Sequence, residues 1–132
     1  MLKKIDHIAI AMKSVDEALK VFEDVFGLKC DHIEEIPDQG VKAATVRIGD
    51  VNIEFVEPID PEGGVAKFVE KKGEGIHHIA IEVDDIVAEL AALEAKGVAL
   101  IDKQPRKGLA GKIAFLHPKS TKGVLTELVE KI

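Results

Sequence analysis

The chain repeats itself, and this repeat restricts its possible folds more than any other feature. The segment IDHIAIAM at residues 5–12 matches IHHIAIEV at residues 76–83 in five of eight positions. The similarity returns later, where VNIEFVE at 51–57 resembles VLTELVE at 124–130, each with a glutamate, two apolar residues and a second glutamate. Two copies that begin and end alike predict a duplicated module and a paired architecture.

Each copy reads as a βαβββ module. Apolar residues recur near helical spacing from Val15 to Val25 and from Ile86 to Lys96, and a glycine follows each run. Residues 58–75 combine two prolines and four glycines with the short helical stretch VAKFVEKK, which is typical of a connector. We therefore predict an α+β fold in one domain, 1–132, with module 1 at 1–57, the connector at 58–75 and module 2 at 76–132. Alternation predicts strands in both matching segments and at Lys29–Glu35, Val41–Ile48, Val98–Ile101 and Gly111–His117.

Composition excludes several classes of partner. At 132 residues the chain has the usual size of one domain, and no apolar run approaches the ~20 residues of a membrane-spanning helix. A net charge of -6, with no Trp or Tyr, argues against a nucleic-acid partner. The start of the chain lacks the features of a secretory signal, which predicts a cytoplasmic protein. Cys30 is the only cysteine, so an internal disulfide is impossible, and we expect a buried, inert thiol.

Strand alternation selects four candidate metal ligands. In the opening strands, Ile8 and Ile79 belong to the faces suited to packing on a helix, while His7 and His78 point to the opposite sides beside small alanines. Glu54 and Glu127 occupy equivalent slots in the closing strands, where an unpaired buried carboxylate would be costly. The repeat thus predicts a centre formed by His7, Glu54, His78 and Glu127. His77 has the other parity and matches Asp6, so it reads as a structural residue.

Two imidazoles and two carboxylates leave positions for water or substrate on a six-coordinate cation. Mixed nitrogen and oxygen ligation without thiolate suits Co²⁺, Mn²⁺, Ni²⁺, Fe²⁺ or Zn²⁺. We expect one divalent ion per chain, and affinity alone does not choose among these metals. Such an ion stabilises an oxyanion as a Lewis acid, which suits proton abstraction beside a carbonyl.

The motifs IDHIAIAM, EIPDQGV, HHIAIEVDDI and KIAFLHPKSTKGVLTEL together resemble the methylmalonyl-CoA epimerases of the vicinal oxygen chelate superfamily. The resemblance covers nearly the whole chain and implies paired βαβββ modules curled into a half-open barrel around a divalent metal. It places the same four residues at the ligand positions, although some members carry Gln where this chain has Glu54. The implied reaction moves a proton off and onto C2 of methylmalonyl-CoA through a metal-stabilised enediolate.

The resemblance leaves the proton-transfer groups open. Some relatives carry a glutamate base in the strand after the QGV turn, where this chain has Ala43. Our hypothesis is that Glu127 moves one proton and that a second group or a water serves the other face of C2. Lys112 and Lys119 are candidates to bind the coenzyme A phosphates or the substrate carboxylate.

Three other functions compete with this interpretation. A glyoxalase-type lactoylglutathione lyase can use the same ligands and the same proton-transfer chemistry. A ring-cleaving dioxygenase fits less well, because it uses two histidines and one carboxylate, and Glu54 would be a fourth ligand. The third is a non-catalytic module that binds a small molecule. The architecture commonly pairs its sheets across a two-fold axis, so we expect a homodimer.

Overall fold

The computed structural model describes residues 1–108 and 111–132. These residues form two compact units, one made of residues 8–77 and the other of residues 1–7 together with 78–132. Strand β1 (Leu2–Ala11) contributes its first half to the second of these units and its second half to the first. In the described part of the chain, no helix is both long and apolar enough to cross a membrane.

The unit of residues 8–77 has the strand order β2-β3-β4-β1. Strands β2, β3 and β4 pair antiparallel, and Thr45 lies opposite Glu54 in the β3–β4 register. Helix α1 begins after Ser14, whose hydroxyl accepts the N–H of Glu17, and it ends at Gly27 in the left-handed conformation. The elements of this unit are α1 (Val15–Phe26), β2 (His32–Ile36), β3 (Val41–Ile48), β4 (Val51–Pro58) and α2 (Gly64–Lys72).

Two apolar clusters cover the two faces of this sheet. Helix α1 packs through Val15 and Ala18 on one face, where Phe55 is completely buried. On the other face, Ala43 packs with residues of α2, including Phe68. Ile53 and Phe55 therefore lie on the α1 side of β4, as the alternation predicts.

The second unit has the strand order β1-β5-β8-β7-β6. Strand β5 pairs parallel with β8, whereas β7 pairs antiparallel with β8 and with β6. Helix α3 begins after Asp85, whose carboxylate accepts the N–H of Ala88. The elements are β5 (Gly75–Val83), α3 (Ile86–Ala95), β6 (Arg106–Lys107), β7 (Gly111–Leu116) and β8 (Thr126–Lys131).

The sheet of this second unit also has two distinct faces. Its helix side is a core in which Val83 and Leu128 pack against Ile86 and Leu90 of α3. The opposite face carries a smaller cluster, formed by Ala80, Ile113, Val129 and Phe115. We call this second face the helix-free face, because α3, the α-helix that the structure describes in this unit, packs on the other side.

Most predicted elements are confirmed within a few residues, and two expectations are wrong. Val98–Ile101 forms no strand; it makes an isolated bridge at Leu100, and the edge strand is β6 instead. The reason is Asp102, whose carboxylate accepts the N–H of Phe115 and so interrupts a regular ladder. Cys30 is exposed rather than buried, because it lies in the loop before β2.

Candidate metal centre

Strand pairing brings His78 and Glu127 onto the helix-free face of the second unit. Ala80 lies opposite Glu127 in the parallel β5–β8 pair, and Phe115 lies opposite Glu127 in the antiparallel β7–β8 pair. His78 precedes Ala80 by two residues and therefore shares its face. Strand β1, the neighbour of β5, supplies His7.

Three side-chain atoms form a nearly equilateral triangle at this point. The Nε2 atoms of His7 and His78 are 3.3 Å apart. Oε1 of Glu127 lies 3.3 Å from Nε2 of His7 and 3.0 Å from Nε2 of His78. The three side chains are only 6–11% exposed. Three donors from three strands thus converge in a largely water-excluded place.

These distances fit a divalent cation. A cation with octahedral ligation and bonds of ~2.1 Å holds neighbouring ligand atoms about 3.0 Å apart. A tetrahedral ion with bonds of ~2.1 Å separates its ligands by about 3.4 Å. The triangle lies between these values, and two imidazoles with one carboxylate suit a first-row transition metal. The donor set and its spacing therefore fit the implied group, and His7, His78 and Glu127 are the residues that would hold it.

The carboxylate of Glu127 is ionised in this environment. Burial by itself would raise its pKa, but the adjacent imidazoles of His7 and His78 outweigh burial and lower the pKa to about 2. Glu127 therefore carries a negative charge at neutral pH, as a metal ligand must.

The carboxylate of Asp6 contacts the ring nitrogen of His7 that faces away from the triangle. Oδ2 of Asp6 lies 2.7 Å from Nδ1 of His7, and Oδ1 lies 2.7 Å from Nζ of Lys131. Burial would raise the pKa of Asp6, but these two hydrogen bonds lower it to about 2. An ionised carboxylate only accepts hydrogen bonds, so Nδ1 of His7 must donate and its Nε2 faces the triangle.

The ring of Phe115 lies beside the centre, and the guanidinium of Arg106 packs on that ring. The rings of His78 and Phe115 meet edge to face, with centroids 5.2 Å apart. The guanidinium carbon of Arg106 lies 5.6 Å from the centroid of Phe115, and Nε of Arg106 lies 3.3 Å from Oδ1 of Asp102. A positive side chain thus stands one ring away from His78.

The fourth predicted ligand belongs to the other compact unit. Glu54 is on β4, on the face that carries Val56 and not on the face of Ile53 and Phe55. Its role as a ligand stays a prediction. In the same unit Ala43 is 3% exposed and packs in the cluster under α2, so this position offers no proton-transfer group. His77 has a ring contact with Phe68, with centroids 4.9 Å apart.

The two predicted substrate lysines are exposed, but neither joins the triangle. Lys112 alternates with Phe115 on β7 and thus lies on the helix side, with Nζ 4.0 Å from Oε2 of Glu130. Lys119 lies in the short 3₁₀ turn Pro118–Ser120. Sequence reasoning missed Asp6, Lys131, Phe115 and Arg106. Only Asp6 carried a signal, as a charged residue directly before a candidate ligand.

The chain is similar to known proteins over most of its length. Residues 6–115 match the Glyoxalase/Bleomycin resistance protein/Dioxygenase superfamily. The chain is 42% identical to the Bacillus subtilis protein YqjC, over 98% of this chain and 93% of that one. It is 38% identical to the mitochondrial methylmalonyl-CoA epimerase of Dictyostelium discoideum, over 97% of this chain and 78% of the relative.

A solved structure extends the similarity to three dimensions. A Streptomyces coelicolor methylmalonyl-CoA epimerase variant, in complex with 2-nitronate-propionyl-CoA, matches with a TM-score of 0.93 and 38% identity. The match covers 99% of this chain and 96% of the other. The predicted α+β fold class with paired βαβββ modules is confirmed.

Proposed function

The chain belongs to the Glyoxalase/Bleomycin resistance protein/Dioxygenase superfamily and, within it, to the methylmalonyl-CoA epimerase family; on that premise we propose that it interconverts (R)- and (S)-methylmalonyl-CoA with one divalent cation. The observation that carries the proposal is the triangle of His7, His78 and Glu127. Its spacing suits a cation, and it lies in a chain that is 38% identical to an epimerase.

The reaction requires two proton transfers at one carbon. A base removes the proton from C2, and the electron pair of the C–H bond moves toward the thioester carbonyl to form an enediolate. A proton then adds to C2 from the opposite face. When bound, the cation supplies Lewis-acid stabilisation of the negative charge that develops on oxygen. No atom is lost and no oxidant is needed.

We assign one of the two transfers to Glu127. Its carboxylate is ionised and lies at a corner of the triangle, so it can accept a proton. Because its pKa is lowered, Glu127 is a weak base, and it removes only a C2 proton that the neighbouring carbonyl makes acidic. Since Ala43 has no titratable group, we assign the second transfer to a water molecule or another side chain.

The charge distribution supports a coenzyme A ester as the substrate. Residues 97–123 carry six cationic side chains and one acidic residue, Asp102, in a chain whose net charge is -6. All six are exposed, and all belong to the second unit, which also holds the triangle. Exposed cations of this kind suit the phosphates of coenzyme A. They are Lys103, Arg106, Lys107, Lys112, Lys119 and Lys122.

The lysine assignments can be tested one by one. Lys112→Ala and Lys119→Ala should each raise the KM for methylmalonyl-CoA, because each removes a positive charge from the phosphate-binding surface. If neither variant changes KM, these two lysines play no part in binding, and the remaining cations carry the interaction.

The ion, the location and the assembly complete the proposal. We propose Co²⁺ as the ion, with Mn²⁺, Ni²⁺, Fe²⁺ and Zn²⁺ as alternatives, because the donor set accepts them all. We further propose a cytoplasmic homodimer. Metal analysis of the purified protein identifies the ion, and light scattering gives the mass; a monomer mass would refute the dimer.

Racemisation of methylmalonyl-CoA, with and without a chelator, tests the function directly. We expect the purified protein to equilibrate the two epimers, to lose this activity with chelator, and to regain it with Co²⁺. In D₂O the product should carry deuterium at C2. Equal rates in chelator and in Co²⁺ would rule out the metal, and no racemisation in any condition would rule out the epimerase.

A parallel assay addresses the alternatives. Two histidines with one carboxylate also form the metal triad of non-haem iron oxygenases, so the donor set alone does not separate the classes. The same preparation should therefore be offered methylmalonyl-CoA, the hemithioacetal of glutathione and methylglyoxal, and a catechol with O₂. We expect turnover of the first only. A protein that binds Co²⁺ but turns over none of them would be a binding module.

A further inference from the structure

We infer that Asp6 and Lys131 are positioning residues that hold His7 in the tautomer required of a metal ligand. This inference rests on the proposed metal centre, because it concerns how one of the ligands is presented to the ion. It assigns a role to two residues that the epimerase chemistry does not use directly.

The contact between Asp6 and His7 fixes the proton on the imidazole. Oδ2 of Asp6 lies 2.7 Å from Nδ1 of His7, and the Asp6 side chain is 7% exposed. A buried carboxylate accepts a hydrogen bond at this distance, so the imidazole proton belongs on Nδ1. In a neutral His7 the lone pair is then on Nε2, the atom that lies 3.3 Å from Oε1 of Glu127 and that would bind the cation. Without Asp6 the imidazole could place its proton on Nε2 and could not bind a cation there.

Lys131 holds Asp6 in place. Its Nζ lies 2.7 Å from Oδ1 of Asp6, so each carboxylate oxygen has its own partner. Lys131 is the last residue of β8, the strand that also supplies Glu127. Strand β8 therefore provides Glu127 near its beginning, and through Lys131 at its end it positions Asp6 against His7.

The two histidines of the repeat differ in this respect. Asp6 precedes His7, whereas His77 occupies the matching position before His78. An imidazole does not carry the negative charge of a carboxylate, so the residues before the two ligands differ in charge. The loss of Asp6 should thus act on His7 directly, and on His78 only through the contact between their Nε2 atoms.

The first test uses the metal-free wild-type protein. Long-range ¹H–¹⁵N correlation spectra, recorded at a pH where the imidazoles are neutral, distinguish a protonated Nδ1 from a protonated Nε2. We expect His7 to carry its proton on Nδ1. A His7 that carries its proton on Nε2 would overturn the inference, whatever the activity of the enzyme.

The second test measures Co²⁺ affinity in folded variants. Asp6→Asn should weaken binding by about 10–100-fold, the usual cost of losing a carboxylate behind a metal-bound histidine. Lys131→Met should weaken it less, and Lys131→Arg should restore it. The matched control is Lys3→Met, which removes a lysine of the same unit that pairs with Glu82 and Asp84. We expect no change in affinity there.

The outcomes separate this inference from the proposed function. Unchanged Co²⁺ affinity and an unchanged His7 tautomer in folded Asp6→Asn would refute the role of Asp6. If the wild-type protein binds Co²⁺ but fails to racemise methylmalonyl-CoA, the function is wrong and the positioning role survives. If the wild-type protein binds no Co²⁺, Mn²⁺ or Zn²⁺ at all, the metal centre itself fails and this inference fails with it.

Discussion

The carboxylate of Glu130 accepts the backbone N–H of Ile86, with 2.9 Å between Oε1 and N. Glu57 does the same for Val15 in the other unit, at 2.8 Å. Each glutamate is the second one of its repeated motif, and each binds the first residue of a helix. The duplication therefore preserves a charged cap, where a carboxylate satisfies an amide and meets the positive end of the helix.

Replacing either cap should lower the free energy of unfolding. We expect Glu57→Ala and Glu130→Ala each to cost about 1 kcal/mol, the usual loss when a capping side chain is removed. Urea unfolding followed by circular dichroism measures this. Lys112→Met is the control for Glu130, because Lys112 only approaches that carboxylate at 4.0 Å on an exposed surface. A loss as large in the control would mean that the ion pair, and not the cap, is responsible.

Binding of a cation should stabilise the native protein, and only an intact triangle should allow it. Free Co²⁺ at ~100 times its Kd should add about 2.7 kcal/mol, because it binds the folded state alone. Thermal unfolding of wild type and His78→Ala with added Co²⁺ measures the difference. We expect a raised Tm in the wild type and no response in the variant. An equal rise in both would place the ion elsewhere.

Glu127→Gln separates ligation from proton transfer. The amide keeps the size of the side chain but loses its charge and its capacity to accept a proton. We expect a folded variant with weakened Co²⁺ binding and, when saturated with Co²⁺, greatly slowed entry of solvent deuterium at C2. Undiminished exchange in the Co²⁺-loaded variant would remove Glu127 from the proton-transfer step.

Arg106 should contribute to substrate binding more than to turnover. Arg106→Met should raise the KM for methylmalonyl-CoA by about tenfold, since losing one charge-assisted hydrogen bond costs about 1.5 kcal/mol. The kcat should change little. Arg47→Met is the matched control, because Arg47 is an exposed arginine of the other unit that donates to the carbonyl of Gly49. An unaltered KM in Arg106→Met would show that this guanidinium does not meet the substrate.

The core under α1 should depend strongly on Phe55. This side chain is completely buried and meets the ring of Phe22 at 4.8 Å between centroids. Phe55→Ala should cost about 3–5 kcal/mol through lost burial and the cavity left behind. Ile48→Ala, at an exposed position on β3, should stay within about 0.5 kcal/mol of wild type. Urea unfolding of both variants provides the comparison.

The sequence by itself determined most of the elements and the faces of their strands. Alternation predicted that His78 and Ala80 lie on one face of β5 and Val83 on the other, and that Glu127 and Leu128 lie on different faces of β8. The clusters on the two faces of the sheet confirm this for Ala80, Val83 and Leu128. This worked because side-chain direction along a strand depends only on neighbouring residues. The repeat then selected His78 over His77, since equivalent positions in two copies share an environment.

The tertiary structure alone decided which distant residues meet. Nothing local in the chain links Asp6 to Lys131, or Phe115 to Arg106, because each contact depends on which strands pair and in which register. The same cause explains why the strand predicted at Val98–Ile101 is wrong: the carboxylate of Asp102 accepts the backbone N–H of Phe115. It also explains Lys112, whose position beside Ala114 puts it on the helix side of β7. Periodicity predicts which face of a strand a side chain occupies, but only strand pairing in the folded sheet brings side chains from several strands into contact.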